Sequence, residues 1–411
     1  MTSIFGYKRR QHPLRLLAAS ILCGIAGPAV LTSSTAAAQP QTPPAGPPPI
    51  SPQTPPALMK PLPRMPGSEP IPQIPLTPLE NVVSRGTGSI TLVLISDQGT
   101  DWRIWDSFLE RNESRYRMHA VTLPGIAGTT APASMPAEAY YSDGLWTRNA
   151  ERGILALLEQ EKADRVFVMG WGYGGHLALR LSMLHPSRIA GAISIDGTVT
   201  FEIPSMATPR VPRDKREDFV VKTVLAGERV PDSVFFDRQK KGLRAALPDS
   251  RRAALFEEMI DGSPKPVFLQ YLAEYFAADL WPHLDKLASP IAIFVGIPEE
   301  DNPALTPGAA AKEKWTRWFL AAKDHCDVVW FERSTPMLTE SAPHELDRSV
   351  HAFIHGYHVP GKGLYSRPLA TFVAPEEGGP PATPHLKKEK WIKDGNAADG
   401  DRTTPNGDQP R

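Results

Sequence analysis

From residue 89 onward the chain alternates two hydrophobic patterns. Short unbroken apolar runs come first: SITLVLIS (89–96), RMHAVTL (117–123), RVFVM (165–169), AGAISI (190–195), SPIAIFVG (289–296) and CDVVWF (326–331). Runs of this length and composition predict strands buried on both faces. Between them, apolar residues return every three or four positions, the spacing of a helix that hides one face. This predicts helices over Ile104–Glu110, Leu145–Glu161, His176–His185, Ala309–Ala322 and Pro343–His355. Residues 200–288 are richer in charge and helical in pattern, with proline breaks, and predict a helical insertion. The alternation predicts an α/β fold, a mostly parallel central sheet with helices on both faces. In such sheets ligands meet the loops at the carboxyl ends of the strands. Those loops are SDQGTD, PGIAG, GWGYGG, DGTV and the segments after Val295 and Phe331.

Composition bears on the partners. The formal net charge is +0, with 22% charged and 41% apolar residues. No sustained basic stripe marks a nucleic-acid binder. The folded part spans about 80–358, and its surroundings read differently. Lys8, Arg9, Arg10 and Arg15 precede a short apolar stretch, Leu16 to Leu31, and Ala36-Ala37-Ala38 follows. This pattern predicts a cleaved secretory signal over 1–38 and export to the periplasm or medium. The apolar stretch is shorter than the roughly 20 residues that span a bilayer, so no stable membrane span is expected in the mature chain. Cleavage after Ala38 leaves Cys326 alone, without a disulfide partner. Residues 39–78 hold 16 prolines in 40 positions, so 39–79 reads as an extended disordered linker rather than a ladder or helix. Residues 359–411, rich in proline, glycine and charge, read as a disordered tail.

The stretch GWGYGG (170–175) follows an apolar run and precedes a helical pattern. Two chemistries use such a corner. Gly170, Gly172 and Gly175 fit G-x-G-x-x-G, with Asp196 ending the next strand, as in a dinucleotide site. Against this, dinucleotide units open with the motif, whereas strands and loops already precede it here. The other use is a nucleophile elbow, G-x-S-x-G, with glycine where serine would stand.

The second use is carried by a wider resemblance over 85–357. The stretches TLVLISDQGTDWRIWDSFLERNESRYRMHAVTLPGIAGT, VFVMGWGYGGHLALRLSMLHPSRIAGAISIDG, ADLWPHLDKLASPIAIFVG and TPMLTESAPHELDRSVHAFI together resemble the α/β-hydrolase fold family, close to its exported bacterial members. The resemblance implies a Ser–acid–His triad, and each member lands on a definite position. The nucleophile falls on Gly172, preceded by Trp171. The acid falls on Glu299, with Asp301 and Asp196 as alternatives. The histidine falls on Ser334. The oxyanion loop is Ser96-Asp97, and the implied oxyanion donors are the backbone N–H groups of Gln98 and Tyr173. Glycine has no side chain to acylate, and serine does not accept a proton at neutral pH as imidazole does. Asp97 would oppose a developing oxyanion if its carboxylate faced the pocket.

The sequence-based expectation is therefore an exported pseudo-hydrolase without a working triad. It binds an unidentified small molecule or protein in the old pocket, under a cap made of 200–288. No cofactor and no metal are expected; His351, His355 and His358 have no carboxylate or thiolate placed beside them. The alternatives are an active hydrolase with a non-standard site and a dinucleotide-binding enzyme acting through GWGYGG.

Overall fold

The structure, a computed structural model, describes residues 71–201, 211–247, 249–298 and 326–355. Seven strands form one sheet: β1 (Val82–Arg85), β2 (Ile90–Ile95), β3 (Tyr116–Val121), β4 (Val166–Trp171), β5 (Ile189–Ile195), β6 (Ile291–Ile297) and β7 (Cys326–Glu332). Their order is β1-β3-β2-β4-β5-β6-β7. All neighbours are parallel except β1, which runs antiparallel to β3 at the edge. The six runs read as strands are strands. The edge strand β1 is an addition: VVSR is too short to show a period, and its pairing rests on β3.

Apolar residues of the strands alternate between two cores, one on each face of the sheet. Val93, Ile95, Val166, Val168, Ile291, Ile293 and Val295 belong to the first. Leu92, Leu94, Met169, Trp171, Ala292 and Phe294 belong to the second. Burial on both sides is why these strands read as continuous apolar runs.

The helices that cover the faces are α1 (Asp106–Asn112), α2 (Leu145–Gln160) and α3 (Tyr173–Leu184), with α8 (Leu338–Ser341) and α9 (Pro343–Ile354) near the end. Four more lie between β5 and β6: α4 (Arg213–Arg229), α5 (Asp232–Ala246), α6 (Ser250–Asp261) and α7 (Lys265–Ala277). The helix read at Ile104–Glu110 is a 3-10 turn at Trp102–Trp105 followed by α1. Helix α3 begins three residues before the pattern showed it, because the glycines of its first turn carry no side chain to mark a period. The helix expected over 309–322 lies outside the described residues. Among the described residues no helix is long and apolar enough to cross a membrane.

One departure concerns the linker. Residues 71–79 lie on the domain: Ile74 and Thr77 are buried, and Thr77 N–H donates to Asn149 of α2 at 3.1 Å. Proline density argued against ladders and helices there, and indeed neither forms. It did not exclude docking through backbone groups that the prolines leave free. Residues 39–70 and 359–411 lie outside the described residues.

Candidate functional site

The carboxyl ends of β2, β4 and β5 meet at a strand-to-helix corner. Strand β4 ends at Trp171, Gly172 makes the turn, and α3 starts at Tyr173. Gly172 has φ 56° and ψ −120°, in the region that glycine enters without steric cost. Its N–H donates to Ile195 O at 2.9 Å, and its carbonyl accepts from His176 N–H at 3.1 Å. Two neighbouring glycines are there for closeness. A Cβ on Gly170 would sit 2.0 Å from Gly174 O, and one on Gly174 would sit 2.3 Å from Ile95 O. The glycine-rich motif thus lets α3 press onto β4 and β2.

Asp97, two residues beyond β2, turns its carboxylate onto this corner. Tyr173 N–H donates to Asp97 Oδ1 at 2.7 Å, and the Gln98 N–H lies near enough to favour the ionised carboxylate. These are the two donors that the resemblance assigns to an oxyanion. A Cβ built on Gly172 would lie 2.6 Å from Asp97 Oδ1, 2.7 Å from Cγ and 2.9 Å from Oδ2. The carboxylate therefore fills the space that a side chain at 172 would need. Asp97 is 5% exposed. Burial raises its pKa to about 7; the two N–H donors pull the other way, and Asp196 adds to the rise.

The helix N-terminus that would receive a pyrophosphate is thus already taken by an internal anion. Three strands, β1 to β3, precede the strand that carries the motif. Both facts count against the dinucleotide reading of GWGYGG.

Among the described residues, the remaining triad candidates lie on the loops after β5 and β7, with Asp196 close enough to the corner to act on Asp97. Asp196 follows β5 at φ 54°, with its N–H on Phe294 O at 3.1 Å. Ser334 is buried; its N–H donates to Ile297 O at 3.1 Å and its hydroxyl to Glu332 O at 3.3 Å. Glu299 and Asp301 lie outside the described residues. Ser96 Oγ and both ends of the Gln98 amide are buried without a hydrogen-bond partner among the described residues. Trp171 is packed beside Ile104, Trp105, Ile195, Met337, Leu338 and Thr339 around a cavity of about 10 Å³. That is room for about one water.

No described imidazole hydrogen-bonds to Asp97, Gly172 or Ser334. His176 donates from Nδ1 to Thr198 O at 2.6 Å, taking the tautomer that leaves Nε2 bare. Burial lowers its pKa to about 4, so it is neutral at pH 7. His351 shares a hydrogen bond with Tyr116 OH at 3.2 Å and lies 4.2 Å from the His355 ring. Tyr173 points its hydroxyl away from the corner, to Thr147 Oγ1 at 2.8 Å. Thr147 in turn meets Glu274 of α7, whose carboxylate accepts from the backbone N–H groups of Trp146 and Thr147 at 2.9 and 2.8 Å. This network, which the sequence pattern did not signal, fastens the inserted helix α7 to the start of α2.

Comparison with known proteins follows the same lines. Residues 92–348 match the model of the alpha/beta hydrolase family. A pimeloyl-[acyl-carrier protein] methyl ester esterase of Edwardsiella ictaluri (strain 93-146) is 26% identical over 216 residues, 51% of this chain and 76% of that protein. The protein of the same name from Klebsiella pneumoniae (strain 342) is 28% identical over 116 residues, 28% of this chain and 40% of that protein. Among solved structures, MenH from S. aureus superimposes with a TM-score of 0.52 at 14% identity, over 67% of this chain and 98% of that one. The enol-lactonase from Burkholderia xenovorans LB400 gives 0.50 at 14% identity, over 67% and 95%. At these identities the two structures speak to the fold.

Proposed function

The chain belongs to the alpha/beta hydrolase family, and from that premise we propose that it is a non-catalytic member, a pseudo-hydrolase, exported by its N-terminal signal. One observation supports this most. The Asp97 carboxylate accepts the Tyr173 N–H, and sits beside the Gln98 N–H, directly over Gly172. An ester carbonyl placed on those donors would have to displace a bonded carboxylate, and while that carboxylate is ionised it would repel the developing oxyanion. The corner offers no nucleophile, and Ser334 supplies no base. In a serine protease, loss of the nucleophile or histidine alone costs about 10⁶ in turnover. The inserted helices 213–277 act in this reading as a fixed cover over the corner.

The curated relatives named above are methyl ester esterases, and one observation favours a second reading, an active hydrolase with a non-standard site. The Asp97 carboxyl, raised to about 7, lies where a general acid or base works best near neutral pH. Turnover of p-nitrophenyl acetate and butyrate by the purified mature chain separates the two. The expected rate equals that of buffer at pH 6, 7 and 8. A rate above buffer that disappears in Asp97→Asn establishes the second reading in place of the first.

A further inference from the structure

The proline-rich strap that crosses α2 is held in a manner that reads as ligand recognition. Over 71–80 the chain is IPQIPLTPLE, with Pro72, Pro75 and Pro78 three residues apart and no helix or strand. Two residues of this stretch are buried, Ile74 at 5% exposed and Thr77 at 7%, while Pro75 and Leu76 between them face outward. Proline at every third position favours an extended backbone over a helix.

The seat for this strap is one face of α2. Asn149, Arg152 and Gly153 stand at i, i+3 and i+4, so they share that face. The buried Asn149 amide uses both ends: its Oδ1 accepts Thr77 N–H at 3.1 Å, and its Nδ2 donates to Pro75 O at 2.6 Å. Arg152 Nη2 donates to Ile74 O at 2.7 Å. Leu79 lies over Gly153, where an added Cβ would come within 3.1 Å of Leu79 Cγ. All three hydrogen bonds go to the main chain of the strap. Only position 77 must keep an N–H; positions 75 and 78 tolerate proline because nothing here asks them for a donor. The seat therefore asks for an apolar residue at 74 and a free N–H at 77, while the exposed Pro75 and Pro78 are tolerated rather than selected.

We propose that this face of α2 is a docking site for extended, proline-tolerant segments that offer an apolar residue and, three residues on, a free N–H, and that its resident ligand is the chain's own Ile74–Pro78. Proline-rich peptides elsewhere dock as preformed extended segments in aromatic-lined grooves; this seat instead reads the main chain through Asn149 and Arg152. The same demands are met by Leu62-Pro63-Arg64-Met65-Pro66 position for position, so a peptide of that sequence is a ligand of the same site. The strap fixes where the proline-rich region leaves the domain, independently of the chemistry at Gly172.

The test uses the full mature chain and a fluorescein-labelled peptide of residues 71–80. Unaltered protein gives no anisotropy change, because its own strap holds the seat. Ile74→Asp, or Thr77→Pro, empties the seat, and whichever variant keeps the native far-UV circular dichroism binds the peptide saturably. Adding Asn149→Ala weakens that binding at least tenfold, and unlabelled KPLPRMPGS (60–68) displaces the probe. In the otherwise unaltered chain, Asn149→Ala raises thermolysin cleavage at Leu76 at least tenfold. The proposal is overturned if the folded strap variant does not bind, if binding survives Asn149→Ala, if KPLPRMPGS does not compete, or if cleavage at Leu76 is unchanged.

Discussion

Replacing Gly172 with serine is expected to destabilise the protein by about 3 kcal/mol, and to restore no hydrolysis. Two costs combine. The left-handed backbone at φ 56° charges any side chain about 1 kcal/mol or more. The larger cost is the collision with the Asp97 carboxylate, whose three outer atoms lie 2.6 to 2.9 Å from the new Cβ. That carboxylate is held by the Tyr173 N–H, so it does not give way freely. The costs are separable. In an Asp97→Gly background the same serine should cost only about 1 kcal/mol, leaving a coupling of about 2 kcal/mol between the two positions. Urea unfolding of the four proteins measures it. Additivity within about 0.5 kcal/mol would mean that the carboxylate does not occupy the space of the missing side chain.

Asp97→Asn is expected to stabilise the protein at pH 8 and to have little effect at pH 4. Burial raises the Asp97 carboxyl from 3.8 to about 7. Between those values the folded chain keeps a proton that the unfolded chain has lost. The folded state then binds more protons, and stability falls as pH rises through the window, levelling above pH 7. The interval corresponds to at most about 4 kcal/mol. Asparagine removes the titration while its carbonyl oxygen still accepts the Tyr173 N–H. The difference in unfolding free energy between variant and parent should therefore grow from pH 4 to pH 7 and then stay level. A difference independent of pH would show that Asp97 keeps an ordinary pKa and is not buried at the corner.

These two expectations rest on a contact that the sequence announced only in part. The strands were legible because burial on both faces leaves nothing polar in VLI or IAIFVG. The corner was legible because a glycine run between a strand and a helix has few structural uses. That Gly172 stands at the turn follows from the motif alone. The orientation of Asp97 does not, because it depends on how β2 and α3 approach one another, which Gly174 permits and no local pattern records. The docking of 71–79 was hidden for a similar reason: its partner, Asn149, is 72 residues away from Thr77. The Glu274 network joins positions still farther apart, 127 residues between Thr147 and Glu274. Local pattern speaks to elements, whereas these contacts are made between elements.

The central claim is that the corner at Gly172 carries no serine-hydrolase chemistry. Intact-mass measurement of the purified protein after incubation with a fluorophosphonate tests it most directly. The predicted mass is that of the unmodified chain, at any time up to complete hydrolysis of the reagent. A stoichiometric adduct on any serine, Ser334 above all, would contradict the claim.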